Sequence, residues 1–139
     1  MAPLALAGIP EERDILMPGS DAQGTILVAH GSRDPLWRGP VEAVARCIRA
    51  NDPAVHLRCA YLELAAPDLP TSVAELAALG VKSIKVVPLL LGVGKHARED
   101  MSQLMAGLRT VYPQIQFTLR PAIGENDQLI ELIARIAMS

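Results

Sequence analysis

Two histidines follow short apolar runs, and glycine accompanies each of them. His30 closes the apolar run 25–29 and precedes Gly31, whereas His96 follows the run 84–91 and a glycine-containing segment. Apolar runs of this kind are typical of buried parallel strands, whose carboxyl ends meet at one edge of a sheet and bind ligands there. Imidazole accepts protons near neutral pH and binds transition metals. The pattern therefore predicts that His30 and His96 share a site for proton transfer or metal binding.

Other side chains of suitable chemistry are expected at the same edge. Glu63 closes the second predicted strand, and Gly92 and Gly94 precede a predicted helix, where main-chain amides can approach an anionic ligand. Three cations border the histidines in the sequence: Arg33, Lys95 and Arg98. In a chain with a formal net charge of −2, these cations indicate a carboxylate-rich or phosphorylated ligand.

Each of these residues also has a purely structural interpretation. His30 and His96 can cap a turn or a helix, Gly92 and Gly94 can simply turn the backbone, and Glu63 can be a solvated loop carboxylate. The joint placement of both histidines at one edge favours a site over these alternatives. His56 is expected at the opposite end of its strand, as a surface residue without chemistry.

Composition limits the class of protein. The chain has 139 residues, of which 50% are hydrophobic, so one domain with a core is expected. The net charge and the aromatic content of 3% argue against a nucleic-acid partner. The apolar runs are shorter than the roughly 18–20 residues that span a bilayer, so no membrane association is expected. Cys47 and Cys59 form no disulfide or Cys-x-x-Cys pattern and are expected to be inert buried thiols.

The elements that must position the site alternate along the chain. Strands are predicted over residues 25–29, 55–61, 83–87 and 115–119, and helices over residues 38–50, 69–79, 97–111 and 125–137. The third helix is expected to carry Glu99 and Asp100 in its first turn. This alternation predicts an α/β fold, a three-layer α/β/α sandwich with a four-stranded parallel sheet and flavodoxin-like winding. Residues 1–23 are expected to form a loose N-terminal extension of a cytoplasmic protein, and residues 24–139 its domain.

Two competing chemistries lack their motifs. Ser32 lies beside His30, but neighbouring residues do not form the nucleophile, base and orienting group of a serine hydrolase, and Gly-x-Ser-x-Gly is missing from the sequence. The phosphate-binding motif Gly-x-x-x-x-Gly-Lys-Ser/Thr is also missing, and Gly92-Val93-Gly94 lacks the third glycine of a dinucleotide fingerprint. A hydrolase or phosphotransferase on a flavodoxin-like sheet is therefore disfavoured.

Three segments together resemble the small class II chelatases of sirohaem and cobalamin synthesis, the sirohydrochlorin cobaltochelatases with their iron- and nickel-inserting relatives. The segments are residues 28–35, residues 61–63 with Pro67 and Pro70, and residues 86–96 followed by Glu99 and Asp100. They occur in the family's order and spacing, and the likeness covers about residues 24–137. A leader of this length is unusual in that family, and the histidine-rich tract of some relatives is missing here.

The resemblance implies a chelatase-like fold and an ATP-independent insertion of Co²⁺, with Fe²⁺ or Ni²⁺ as alternatives, into sirohydrochlorin. It implies that His30 and His96 bind the metal, and that His30 and Glu63 are catalytic, with His30 as proton acceptor. The substrate-binding residues that it implies are Ser32, Arg33, Glu63, Leu90, Leu91, Gly92, Val93, Gly94 and Lys95. The metal is then a substrate, no organic cofactor is needed, and short members of the family form symmetric homodimers with the site near the interface. The alternative is a non-catalytic metal- or tetrapyrrole-binding module of the same fold.

Overall fold

The computed structural model describes residues 22–139, so the predicted extension over residues 1–23 lies almost wholly outside the described part. The described residues contain one four-stranded sheet in which every strand pair is parallel, in the order β2-β1-β3-β4. The strands are β1 (Gln23–Ala29), β2 (His56–Tyr61), β3 (Ser83–Pro88) and β4 (Gln116–Leu119). The predicted parallel sheet is therefore confirmed.

Helices alternate with these strands as predicted. They are α1 (Gly39–Asn51), α2 (Leu69–Ala78), α3 (Lys95–Val111) and α4 (Asp127–Met138). Short 3₁₀ helices, Pro35–Arg38 and Ile123–Glu125, precede α1 and α4. Gly80 ends the turn after α2 with a positive φ of 86°, a conformation that glycine adopts without steric cost.

The core divides between the two faces of the sheet. Leucine, valine and methionine side chains of α2 and α3 pack on one face against Ile26, Val28, Ile84 and Val86, all of which are at most 1% exposed. On the other face α1 packs on a smaller cluster of which Leu27 is a member. The continuous apolar run of β1 is thus explained, because its side chains are buried on both faces.

Helix α3 begins two residues earlier than the sequence predicts. Gly94 has extended backbone and is the N-cap, and its carbonyl accepts the first helical hydrogen bond from the Arg98 amide at 3.0 Å. The expectation that Glu99 and Asp100 lie in the first turn is therefore wrong. That turn contains Lys95 and His96 instead, and no acidic residue lies in it.

Helix α4 differs most from the expected third layer. Its close main-chain contacts are with the 3₁₀ segment that precedes it, and all but one of its residues are exposed. Apolar residues nevertheless recur at helical spacing on one side, and Leu132, Ile133 and Ile136 are 44%, 41% and 65% exposed. The helix therefore presents an uncovered apolar stripe within the described part of the chain.

Three expectations about individual side chains need correction or comment. Cys47 is exposed and Cys59 is half-buried, so the prediction of two buried thiols is wrong for Cys47. Desolvation by burial raises the pKa of the Cys59 thiol, which keeps it in its less reactive protonated form. His56 lies at the amino-terminal end of β2, as predicted, but it is half-buried rather than on the surface.

Within residues 22–139, no helix combines the length and apolarity needed to cross a membrane.

Candidate active site at the carboxyl edge of the sheet

The ends of β1 and β2 bring His30 and Glu63 together. The Leu62 amide donates to the Ala29 carbonyl at 2.9 Å, and the Glu63 amide donates to the His30 carbonyl at 2.9 Å. The pairing of the two strands thus continues for two residues beyond their last paired residues, Ala29 and Tyr61. This main-chain bond fixes the histidine and the carboxylate as neighbours at the carboxyl edge, where both residues are exposed.

Gly31 permits this close approach. Its φ is +105°, and a Cβ atom at this position would overlap the carbonyl oxygen of Glu63 and lie 3.3 Å from the Cβ of Tyr61. Residues with a side chain rarely adopt such a backbone conformation, and a carbonyl oxygen cannot move aside as a flexible side chain can. The glycine that follows His30 is therefore required by the packing of its loop against Glu63.

The segment after Gly31 is held by local hydrogen bonds. The Ser32 hydroxyl accepts from the Asp34 amide at 3.0 Å, and the Asp34 carboxylate accepts from the Leu36 amide at 2.9 Å, capping the 3₁₀ helix. Trp37 then packs edge-to-face on Tyr61, with ring centroids 6.1 Å apart. The Ser32 hydroxyl therefore makes a hydrogen bond that holds its own loop, in addition to the substrate-binding role predicted from the resemblance.

A cavity of about 350 Å³ lies beside His30. Its walls come from the ends of β1 and β2 and from α3, and its lining residues are His30, Leu62, Glu63, Ala97, Asp100, Met101 and Leu104. One imidazole and two carboxylates therefore face a space with an apolar floor. His96 is exposed in the first turn of α3 and does not line this cavity.

The loop between β3 and α3 is fixed at both ends. The Gly124 amide donates to the Leu90 carbonyl at 3.0 Å, and a Cβ atom at Gly124 would overlap the main chain of Leu91. At the other end the Arg98 guanidinium donates to the Val93 carbonyl at 2.7 Å. Arg98, which the sequence offered as a partner for an anionic ligand, therefore braces the loop.

The predicted substrate-binding residues of this loop differ in exposure. Leu90 is buried and Val93 half-buried, whereas Leu91, Gly92, Gly94 and Lys95 are exposed. Leu91 is 72% exposed, a large apolar side chain presented to solvent beside the edge that carries His30. Arg33 is exposed on the neighbouring loop. The loop thus combines an exposed apolar side chain with exposed glycines and nearby positive charge.

A larger apolar groove of about 790 Å³ runs along the α1 face of β1 and β3, and we call it the α1-face groove. It is lined mainly by apolar side chains of the two strands, α1 and the 3₁₀ segment before α1, including Leu27, Trp37, Val44 and Leu89. Val44 of α1 is 41% exposed, because it faces this open groove. Neither His30 nor His96 lines it.

Asp100 is a site residue that the sequence reasoning missed. The sequence analysis places it in the resembling segment after His96 and in the first turn of a helix but assigns it no site role, whereas the structure places it in the cavity with His30 and Glu63. Its spacing of four residues from His96 was the available signal, because residues i and i+4 share a helix face. Across residues 22–139, no three or more His, Cys, Asp or Glu side chains are grouped so that they could hold a metal ion.

The fold and the site define a chelatase-like α/β protein, with a histidine, carboxylates and a glycine-containing loop at the carboxyl edge of a four-stranded parallel sheet. Residues 24–137 match the family model described as CbiX. The chain therefore belongs to the CbiX family, and the family resemblance seen in the sequence is confirmed.

Relatives and solved structures support this assignment. The chain is 28% identical to a sirohydrochlorin cobaltochelatase of Saccharolobus solfataricus over 81% of this chain and 91% of the relative. A crystal structure of a putative cobalamin biosynthesis CbiX protein from Marinobacter aquaeolei aligns with a TM-score of 0.72 and 32% identity, over 84% of this chain and 94% of that one. The sirohydrochlorin chelatase SirB of Bacillus subtilis, solved with cobalt, aligns with a TM-score of 0.71 and 27% identity, over 84% of this chain and 50% of that one.

Proposed function

We propose that this protein inserts a divalent metal ion into sirohydrochlorin without ATP, with Co²⁺ as the first candidate and Fe²⁺ or Ni²⁺ as alternatives. The observation that carries the proposal is the main-chain bond between His30 and Glu63, which holds an imidazole and a carboxylate beside a cavity in a CbiX-family chain. Relatives are named sirohydrochlorin cobaltochelatase and, in Priestia megaterium, sirohydrochlorin ferrochelatase. The metal is a substrate, and the reaction needs no organic cofactor.

The chemistry of metal insertion matches these side chains. The divalent ion loses its water ligands, the macrocycle loses two pyrrole N–H protons, and the products are the metallated macrocycle and two protons. Neutral imidazole, with an ordinary pKa of about 6.5, both binds late first-row ions and accepts protons at cellular pH. We assign metal binding to His30 and His96, proton acceptance to His30, and a catalytic contact with the macrocycle to Glu63.

The macrocycle is proposed to lie against the loop of residues 90–95. Leu91 supplies apolar contact, and the exposed glycines let main-chain amides reach the substrate's carboxylates. Arg33 and Lys95 add positive charge near the same edge, and Ser32 completes the set of substrate-binding residues that we propose. Arg98 contributes indirectly, because it holds the loop through Val93.

A first test is the visible absorption of sirohydrochlorin mixed with Co²⁺ and catalytic amounts of protein at neutral pH, without ATP. The proposal predicts a protein-dependent conversion to the metallated spectrum over many turnovers. A change that stops at one equivalent of protein would identify a carrier module instead, and a rate equal to that without protein would contradict the proposal. Replacing Co²⁺ by Fe²⁺ (under anaerobic conditions) or Ni²⁺ ranks the metals directly.

We further propose that the protein acts in the cytoplasm as a symmetric homodimer. The apolar stripe of α4 and the α1-face groove support this, because large exposed apolar surfaces mark interaction sites. The chain also spans only half of the SirB chain, so a second copy would supply a comparable length. A pairing of identical surfaces about a two-fold axis would cover both uncovered regions.

The dimer is tested with Ile136→Asp, which places a charge in the apolar stripe at a residue 65% exposed. We expect this variant to be monomeric by light scattering while the wild type is dimeric, because the buried carboxylate would lack a partner. Arg135→Glu changes the polar side of the same helix and is expected to leave the dimer intact. A monomeric wild type at tens of micromolar, or a dimeric Ile136→Asp variant, would contradict this interface.

A further inference from the structure

Asp100 of helix α3 is a second carboxylate beside the cavity, in addition to Glu63, and the proposed reaction assigns it no role. Asp100 lies four residues after His96 in α3, so the two residues share one side of the helix, one turn apart. Asp100 also lines the cavity that holds His30 and Glu63, whereas His96 lies outside it. Asp100 therefore lies on the same side of α3 as the exposed His96 and also beside the cavity that holds His30.

The spacing of His96 and Asp100 is suited to metal binding. Two ligands at positions i and i+4 of a helix point to the same side and can bind one transition-metal ion, as in helical zinc sites. Imidazole and carboxylate are both ligands for late first-row divalent ions, and a carboxylate also attracts a hydrated cation by its charge. Both residues are exposed, so an ion with several water ligands can reach them.

We propose that Asp100, together with His96, captures the hydrated metal ion on α3 and transfers it to His30 in the cavity. This inference rests on the proposed metal insertion and adds a third metal-binding residue to the two histidines. The ion exchanges water for Asp100 and His96 first, and then exchanges these ligands for His30 and the macrocycle. Asp100 thus sets the affinity for the incoming ion, and His30 serves the insertion step.

Glu99 provides a matched control within the chain. It is the preceding residue of α3, it is an exposed carboxylate like Asp100, and it does not line the cavity. Glu99→Gln and Asp100→Asn remove the same charge from adjacent positions of one helix. If only the surface charge mattered, both variants would lose the same affinity for the metal ion. If Asp100 binds the ion directly, only Asp100→Asn should lose affinity.

The direct test measures Co²⁺ binding to the full chain by titration calorimetry without tetrapyrrole. We expect Asp100→Asn to weaken binding by roughly tenfold, in the range typical of residues around a metal site, and Glu99→Gln to leave it within twofold. Asp100→Glu, which keeps the carboxylate, is expected to recover most of the affinity. Equal affinities of the wild type and Asp100→Asn, or equal losses in Asp100→Asn and Glu99→Gln, would overturn the proposal.

A kinetic test separates capture from insertion. With Co²⁺ varied at fixed sirohydrochlorin, Asp100→Asn is expected to raise the KM for the metal by roughly tenfold and to leave kcat within twofold. A fall in kcat with an unchanged KM would overturn the capture role. If the wild type itself does not metallate sirohydrochlorin, the proposed function fails, and the calorimetric comparison still decides whether Asp100 binds the ion.

Discussion

Gly31→Ala tests the local geometry on which the site depends. The substitution places a side chain at a φ of +105°, and its Cβ would overlap the Glu63 carbonyl oxygen. Backbone strain of this kind costs about 1–3 kcal/mol, before any cost of separating the two loops. For a chain of this size we expect the melting temperature to fall by about 4 °C per kcal/mol, or roughly 4–12 °C from the backbone strain alone.

The same substitution should also impair metal insertion. To relieve the overlap, the loop that carries His30 must move away from Glu63, and a misplacement of about 1 Å at a reacting group can cost roughly 100-fold in rate. The assays are thermal unfolding followed by circular dichroism and the initial rate of metallation, measured on the folded protein well below its melting temperature.

Gly107→Ala is the matched control for this prediction. Gly107 lies inside α3, and a Cβ atom there would meet nothing within 4 Å. Alanine is favoured over glycine in a helix by about 0.5–1 kcal/mol, so this variant should be slightly more stable and fully active. If Gly31→Ala matched Gly107→Ala in stability and in rate, the argument that Gly31 is required by its loop would be refuted.

Three further predictions concern stability and loop order. The Ser72 hydroxyl is buried without a hydrogen-bond partner among the described residues, so Ser72→Ala should raise the free energy of unfolding by about 1 kcal/mol in denaturant titrations. Asp68 caps α2 by accepting from Thr71, and Asp68→Ala should cost about 1 kcal/mol at neutral pH. Hydrogen bonds from Thr71 lower the pKa of Asp68, so this stabilisation is lost as the pH falls through the lowered pKa. The free energies of unfolding of wild type and Asp68→Ala should therefore converge in acid, and a constant difference between them at all pH values would contradict this. Arg98→Gln removes the bond to Val93 and should speed hydrogen exchange at residues 92–94 while leaving β1 unchanged; equal exchange rates there would show that Arg98 does not brace the loop.

The sheet and the helix order were predictable because each depends on local signals. The run 25–29 is apolar on both faces of its strand, and Gly80 in the turn after α2 has a positive φ that glycine favours, so residue type alone indicates both features. The start of α3 was misplaced because Gly94 is a poor helix residue but a good N-cap, and the acidic pair at 99–100 suggested a later start.

The meeting of His30 and Glu63 was predictable, whereas the site predicted to be shared by His30 and His96 stays a prediction, because His96 does not line the cavity beside His30. His30 and Glu63 follow strand ends, which topology brings together. The packing of α4 was not predictable, since its periodic apolar stripe looks the same whether it is buried or exposed. The placement of Asp100 in the cavity, with His96 outside it, depends on the rotation of α3 about its axis and thus on tertiary packing.

The most direct test of the central claim is the rate of Co²⁺ insertion into sirohydrochlorin by His30→Ala, followed by visible absorption at neutral pH without ATP. His30 is exposed, so the variant should keep the melting temperature of the wild type. Loss of a positioned proton acceptor typically costs 10²–10⁴-fold, and we expect the catalysed rate to fall by roughly 100-fold or more. A folded His30→Ala variant that inserts the metal at the wild-type rate would contradict the account.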